Sequence, residues 1–214
     1  MPKLAVRNLR KVFGDLEAVK DVSFQVEEKE TLSLLGPSGC GKTTTLRMIA
    51  GLEVPTSGHV VVDGIVVNDV PPQKRGIGLV FQDYAIFPNM SVFGNLSFGL
   101  RIQKLPREKV KAKVEEVARL LALESLLERR PKELGLSEIQ RVAIGRSIAL
   151  DPKVLLLDEP LSNVDAKARE TMRGELKRLQ RQIGIATVYV THDQLEAMAL
   201  SDTVAVMNLS LIHI

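Results

Sequence analysis

Two segments of this sequence carry residue types that handle phosphate groups. Gly36-Pro37-Ser38-Gly39-Cys40-Gly41-Lys42-Thr43 fits the pattern G-x-x-x-x-G-K-[ST], with Thr44 directly after it. In such a loop the glycines let successive backbone N–H groups turn inward onto an anion, and the lysine supplies a point charge for the β- and γ-phosphates of a nucleotide. Thr43 would then offer its hydroxyl to a magnesium ion. The second segment, Val154-Leu155-Leu156-Leu157-Asp158-Glu159, is an apolar run of strand length that delivers two carboxylates at its C-terminal end, where open α/β sheets place their ligands. Asp158 suits magnesium coordination through water, and Glu159 suits polarisation of an attacking water as general base. The plain alternatives are a glycine-rich turn with no ligand and a solvated acidic turn after a buried strand. The full loop pattern in its strand-and-helix context favours nucleotide binding, and given that loop the acidic pair reads as functional.

A loop of this kind needs a strand in front and a helix behind. Thr31–Leu35 is β-rich and ends on Gly36, and Lys42–Ala50 has Leu46, Ile49 and Ala50 at helical spacing. Residues 4–6 and 19–26 read as earlier strands, 51–69 as strand-like with Gly58 and Gly64 marking turns, and 77–82 as a further short strand. The spacing of Val110, Val114, Val117, Leu120, Leu121 and Leu123 predicts an amphipathic helix within 105–127, opened by Pro106, in a helical subdomain covering about 88–150. Helices over 138–150 and Ala166–Ile183 alternate with strands over 154–157 and 186–190, which implies an α/β fold with a mostly parallel sheet. Residues 209–214 fit no element.

The 214 residues suffice for one such domain, expected over 1–208, and the 45% hydrophobic and 26% charged content allows it a buried core. A net charge of +3, from 29 basic and 26 acidic residues with no single-sign block, argues against a nucleic-acid surface. Cys40 is the only cysteine, which excludes an intrachain disulfide and suits a reducing compartment. No apolar run approaches the roughly 20 residues that span a bilayer, so a membrane role is expected to work through partner chains.

Leu161-Ser162-Asn163-Val164-Asp165-Ala166 and the run VTHDQLEAM at 190–198 complete a set that, in order and spacing over nearly the whole chain, resembles an ABC ATPase. LLGPSGCGKTT, VFQDYAIFPNMSV and HDQLEAM are most similar to importer ATPases of the maltose, polyamine and ferric-iron type. The resemblance implies a P-loop NTPase core, an N-terminal antiparallel β region, and ATP with Mg²⁺ as ligands. It gives Phe13 the place of an aromatic ring stacked on adenine, and Gln82 that of a glutamine sensing magnesium and the attacking water. Asp165 takes the place of a loop residue crossing a dimer interface, and His192 that of a histidine bonding the γ-phosphate. Tyr84, Ile86, Phe87 and Pro88, following Gln82, match a surface that receives a coupling helix from a membrane-spanning subunit. The implied partners are those subunits and a second ATPase subunit in a head-to-tail homodimer, with a substrate-binding protein engaged only indirectly. The implied location is peripheral, on the cytoplasmic face of the membrane, and the cargo is not encoded in such a chain.

The sequence departs from the family at its signature, LSGGQ. A gapless reading places Gly135-Leu136-Ser137-Glu138-Ile139 over Ser-Gly-Gly-Gln-Arg, whereas a shifted reading takes Leu136–Gln140 as the motif and keeps Ser137 as a nucleotide contact. Both lose the glycine pair, and Glu138 brings a carboxylate towards a polyphosphate, so ATP binding with weakened dimer-dependent hydrolysis is expected. Lys29 and Gly94 are smaller departures without an assigned function. Residues 209–214 resemble translated read-through, and the chain is expected to be truncated. The rival readings are a nucleotide-binding scaffold or gating module without turnover, a DNA-maintenance ATPase, which would need long coiled coils, and a small-molecule kinase, which would need an acceptor pocket and a lid.

Overall fold

The computed structural model describes residues 1–208 and the backbone of 211–213; residues 209, 210 and 214 of the expected tail lie outside the described residues. The chain opens with an antiparallel hairpin, β1 (Leu4–Phe13) and β2 (Leu16–Val26). β1 runs seven residues past the expected 4–6 because register shifts after Val6, Leu9 and Lys11 break the strict alternation that marks a strand in sequence. After β3 (Thr31–Leu35) and α1 (Lys42–Ala50), β4 (Ser57–Val62) and β5 (Ile65–Val66) extend the hairpin into a four-stranded sheet ordered β2-β1-β4-β5.

The remaining strands form the second sheet. They are β6 (Ile77–Val80), then β7 (Val154–Asp158), β8 (Ala186–Thr191) and β9 (Thr203–Asn208). With β3 they are parallel throughout in the order β9-β3-β8-β7-β6. The backbone of β10 (Leu211–His213) pairs antiparallel outside β9. Val154–Leu157 are buried on both faces, so the strand reads as an unbroken apolar run. One core gathers the hairpin, α1 and one face of the parallel sheet, through Leu4, Val22, Leu46, Ile49, Leu156 and Val188.

The opposite face carries α2 (Val92–Ile102), α3 (Arg107–Leu120), α4 (Leu136–Ile148) and α5 (Ala166–Ile183). α2 was not anticipated: Gly94 and Gly99 lower its intrinsic helix propensity, and the element rests on buried Val92, Leu96 and Leu100 and on Ser91, whose hydroxyl accepts from Gly94 N–H at 3.1 Å. The single helix expected within 105–127 is divided. α3 ends at Leu120, Ala122 turns the chain at φ 51°, and Glu124–Leu126 forms a short 3₁₀ turn. α5 has the bounds expected of it, capped by Asp165 and closed at Gly184. α6 (Gln194–Leu200) sits between β8 and β9.

The end of α1 rests on Arg75. This side chain, 5% exposed, donates to the carbonyls of Met48, Ile49, Val70 and Asn68 at 2.7–2.9 Å. Two of those acceptors belong to the last turn of α1, where the Met48 carbonyl also accepts from the cap residue Gly51 N–H at 3.2 Å. Replacing Arg75 by Leu removes this donor from the Ile49, Val70 and Asn68 carbonyls and leaves Met48 only Gly51 N–H, and we expect a loss of about 3 kcal/mol in urea unfolding. Arg75→Lys should restore only part, because an ammonium lacks the planar fork that reaches several carbonyls at once.

Candidate functional site

The register of three parallel strands assembles the site. Leu35 at the end of β3 faces Thr191 at the end of β8, and Asp158 at the end of β7 faces Val190. The loop 36–41, the Asp158-Glu159 pair and His192 therefore leave the sheet at one edge. Backbone bonds continue the pairing past the strand ends, from Gly36 N–H to Thr191 O at 3.4 Å and from Glu159 N–H to Val190 O at 3.0 Å. Two glycines of the loop are required by space: a Cβ on Gly36 would fall on the Met207 carbonyl and the Cys40 sulfur, and one on Gly41 on the Ala18 carbonyl. Gly41 also holds φ 98°, a left-handed conformation, as the cap of α1. No side chain caps α1 and its first turn holds no acidic residue, so its leading N–H groups face the loop without a built-in anion.

Lys42 is 4% exposed and folds back on the loop, donating to Gly36 O at 2.7 Å and Pro37 O at 2.9 Å. Its ammonium lies 3.9 Å from Glu159 Oε1. Thr43 donates its hydroxyl to Asp158 Oδ1 at 3.2 Å. Glu159 takes φ 44°, an uncommon conformation for a non-glycine residue, and its Oε2 lies 3.0 Å from Nδ1 of His192, whose ring is half exposed. Burial pushes the Asp158 carboxyl above its ordinary value and neighbouring Glu159 adds to this, while the Thr43 hydroxyl and the Lys42 charge act in the opposite direction. Thr43 and Asp158 thus form one contact pair and Lys42, Glu159 and His192 a second set, joined through the adjacent positions of Lys42 and Thr43 and of Asp158 and Glu159 in the chain.

The other candidates lie around this cluster. Ser38 and Gly39 are exposed on the loop, Cys40 is buried beneath it, and Thr44 is half-buried on α1. Phe13 is 45% exposed at the hairpin, with the Lys11 ammonium 4.7 Å from its ring centre. Gln82 is exposed; its carbonyl accepts from Asn163 Nδ2 at 3.1 Å, tying the end of β6 to the loop before α5. Asp165 accepts from Lys167 and Ala168 N–H, each at 3.1 Å. Ser137 is not at this cluster by any direct contact: its hydroxyl donates to Glu175 of α5.

Several residues with a role here escape sequence reasoning. Asn95 of α2 accepts from Phe87 N–H at 2.8 Å and donates to the carbonyls of Phe87, Met90 and Ser91, which shapes the segment after Gln82. Arg146 stacks 4.3 Å over Phe87 and donates to the Ala85 carbonyl. Glu196, 3% exposed, accepts from Tyr189 at 2.8 Å and Thr191 at 2.7 Å. The spacing Asp193-x-x-Glu196 reads as a helix-start pattern, yet only Asp193 caps α6 and Glu196 turns inward.

At the altered signature, α4 begins at Leu136 with Gly135 as its cap, and Ser137 is the second helical residue. Glu138 Oε2 accepts from Gly135 N–H at 2.8 Å, so the helix start is closed by its own carboxylate.

The family description "ABC transporter" matches residues 19–162, from β2 through the acidic pair. The chain belongs to the ABC transporter family. It is 54% identical over 204 residues to the "Trehalose/maltose import ATP-binding protein MalK" of Thermococcus litoralis, covering 92% of this chain and 55% of the relative. It is 48% identical over 214 residues to the "sn-glycerol-3-phosphate import ATP-binding protein UgpC" of Rhodopseudomonas palustris, covering 100% of this chain and 59% of the relative. The chain therefore spans a little over half the length of these curated ABC relatives. Among solved structures, cbiO1 of Clostridium perfringens, described as part of the ABC transporter complex cbiONQ, superposes with a TM-score of 0.90 at 28% identity, over 100% of this chain and 87% of that one.

A raised Asp158 makes a prediction whose sign is fixed. The folded site holds the proton more strongly than the unfolded chain, so ionising Asp158 opposes folding. The penalty is absent below the unfolded carboxyl value of about 3.9 and complete above the raised folded value. Asp158→Asn, which keeps an acceptor for Thr43, should unfold at higher urea than the parent at neutral pH, and the gain should shrink as the pH falls towards about 4. An Asp158→Asn protein less stable than the parent at neutral pH would contradict this account of the site.

Proposed function

We propose that the chain binds ATP with Mg²⁺ at this site and is the ATP-hydrolysing subunit of a membrane importer, with turnover weakened by the residues at 135–139. The observation that carries the reading is the convergence of Lys42, Thr43, Asp158, Glu159 and His192 at one sheet edge, beside a helix start with free N–H groups. Lys42 would exchange the Gly36 and Pro37 carbonyls for phosphate oxygens. Phe13 stands exposed at the hairpin, where a flat ring can stack on a base.

The donor set suits magnesium. Thr43 and Asp158 offer two hard oxygen atoms, and among the described residues no group of three or more His, Cys, Asp or Glu side chains forms an all-protein cage. Thr43 and Asp158 would hold the ion, with Gln82 beside them, and it would neutralise charge developing on the β- and γ-phosphates. Glu159 would take a proton from water as the water oxygen bonds the γ-phosphorus and the bond to the ADP oxygen breaks, giving ADP and phosphate. His192 faces Glu159 through Nδ1, which leaves Nε2 for the γ-phosphate; both nitrogens donate only in the imidazolium form.

The import reading follows the names of the relatives. No helix among the described residues is long and apolar enough to cross a membrane, so attachment to membrane-spanning subunits, peripherally on the cytoplasmic face, fits the chain. A groove of about 390 Å³ beside the segment from Gln82 to Pro88, lined by Phe81, Tyr84, Phe98, Ile102, Arg146 and Leu150, offers those subunits an apolar seat. A second ATPase subunit would meet α4 across the nucleotide, with Asp165 at the interface. There Glu138 already occupies the helix start and Leu136 stands partly exposed, which favours weak turnover and, in the limit, a nucleotide-binding gate that does not hydrolyse.

Steady-state Mg-ATP hydrolysis against protein concentration tests this, with ATP binding measured alongside. Changing 135–139 to Ser-Gly-Gly-Gln-Arg should raise turnover on the order of 10²–10³-fold and make it cooperative. In that repaired background Glu159→Gln should lower it by about 10²–10⁴-fold with ATP still bound. A parent chain as fast as the repaired one removes the impairment, and failure of Lys42-dependent ATP binding removes the whole reading.

A further inference from the structure

The loop before α5 and the loop carrying His192 are joined by a side-chain chain that the mechanism above does not use. Arg169, on the first turn of α5, donates through Nη2 to the Val164 carbonyl at 2.9 Å. Its Nη1 lies 3.7 Å from Asp193 Oδ2, and its Nε, which has no hydrogen-bond acceptor, lies 3.9 Å from Glu196 Oε1. Glu196 in turn holds Tyr189 and Thr191 through its other oxygen, and Thr191 accepts from Asp193 N–H at 3.0 Å. His192 is thus flanked by Thr191, which bonds the buried Glu196 carboxylate, and by Asp193, which is bonded to Thr191, and Arg169 faces both Asp193 and Glu196. The same guanidinium grips the segment 161–165, whose Leu161 and Val164 pack on Ala168 and Met172. A carboxylate 3% exposed needs a charged partner, and Arg169 meets that need only while Val164 and residues 191–193 keep their present spacing.

We propose that Arg169 and Glu196 are positioning residues that lock the loop 161–165 to the His192 loop, so that displacement at the first resets the histidine at the second. The effect on turnover rests on the ATP-hydrolysis reading, whereas the structural tie does not. The geometry makes the coupling specific: the arginine fork is needed for Val164 and the charge for Glu196, so Arg169→Lys keeps one half and Arg169→Met neither.

The first measurement needs no catalysis. In ¹⁵N-labelled, nucleotide-free full chain, the imidazole signals of His192, assigned by their loss in His192→Gln, are compared with those in Arg169→Met, Arg169→Lys and Glu196→Gln. Arg169→Met and Glu196→Gln should shift or broaden the His192 signals, although the ring's partner Glu159 is untouched, while those of His59 stay in place. Arg169→Lys should leave them nearer the parent. In the chain with 135–139 changed to Ser-Gly-Gly-Gln-Arg, all three should reduce kcat on the order of tenfold or more while ATP affinity holds within about twofold. Lowered thermal stability with unmoved His192 signals and unchanged kcat would reduce the tie to a structural one and overturn the proposal. If Arg169→Met does not fold, Arg169→Lys and Glu196→Gln decide. If the repaired chain itself shows no hydrolysis, the ATPase reading falls and the imidazole spectra alone decide the tie.

Discussion

Leu35 opposite Thr191, and Val190 opposite Asp158, fix the position of every group at the sheet edge. Side chains alternate along a strand, so a slip of one residue would send Asp158 to the wrong face and move Gly36 away from the carbonyl it bonds. The register is held by burial on both sides: Leu32 and Leu34 of β3, Val188 and Val190 of β8, and Leu155, Leu156 and Leu157 of β7 are all almost fully enclosed. Each such side chain stabilises the fold by about 1.5–3 kcal/mol, and a slip would forfeit several at once. The polar edge is therefore specified by apolar contacts below it.

That edge is a balance of charges as well as of shape. Asp158 and Glu159 are adjacent, partly buried and of like sign, and Lys42 sits between the loop carbonyls and Glu159. Burial raises the Asp158 carboxyl and the like charge of Glu159 adds to it, against the opposing pull of Lys42 and Arg47. A divalent cation arriving there would remove a repulsion and at the same time find oxygen ligands already facing one another.

Much of this was legible in the residues. The 36–43 loop, β3, α1 and β7 follow from glycine spacing and apolar runs, and α5 was bounded correctly because Asp165 and Gly184 punctuate it. α2 was hidden because its glycines depress local propensity and its stability comes from α4 and the sheet, contacts with no local signature. The helix expected across 105–127 was over-extended because Leu121 and Leu123 keep an apolar spacing after the backbone has turned at Ala122. Glu196 and Arg169 were hidden for another reason: acidic and basic residues near helix starts read as solvated, and only the fold shows one carboxylate enclosed and facing the other.

The carboxylate of Glu138 has a consequence of competition. Any phosphate approaching the start of α4 meets a rival anion attached three residues away on the same chain. A tethered group acts at an effective concentration that a freely diffusing ligand does not reach, and it is not diluted when the protein is. A phosphate can still displace it, but against a fixed penalty that lowers its apparent affinity by a constant factor, and a shift in the geometry of the helix start would lift that penalty. Occupancy of this position by a phosphate would thus depend on the conformation of the helix start as well as on nucleotide supply.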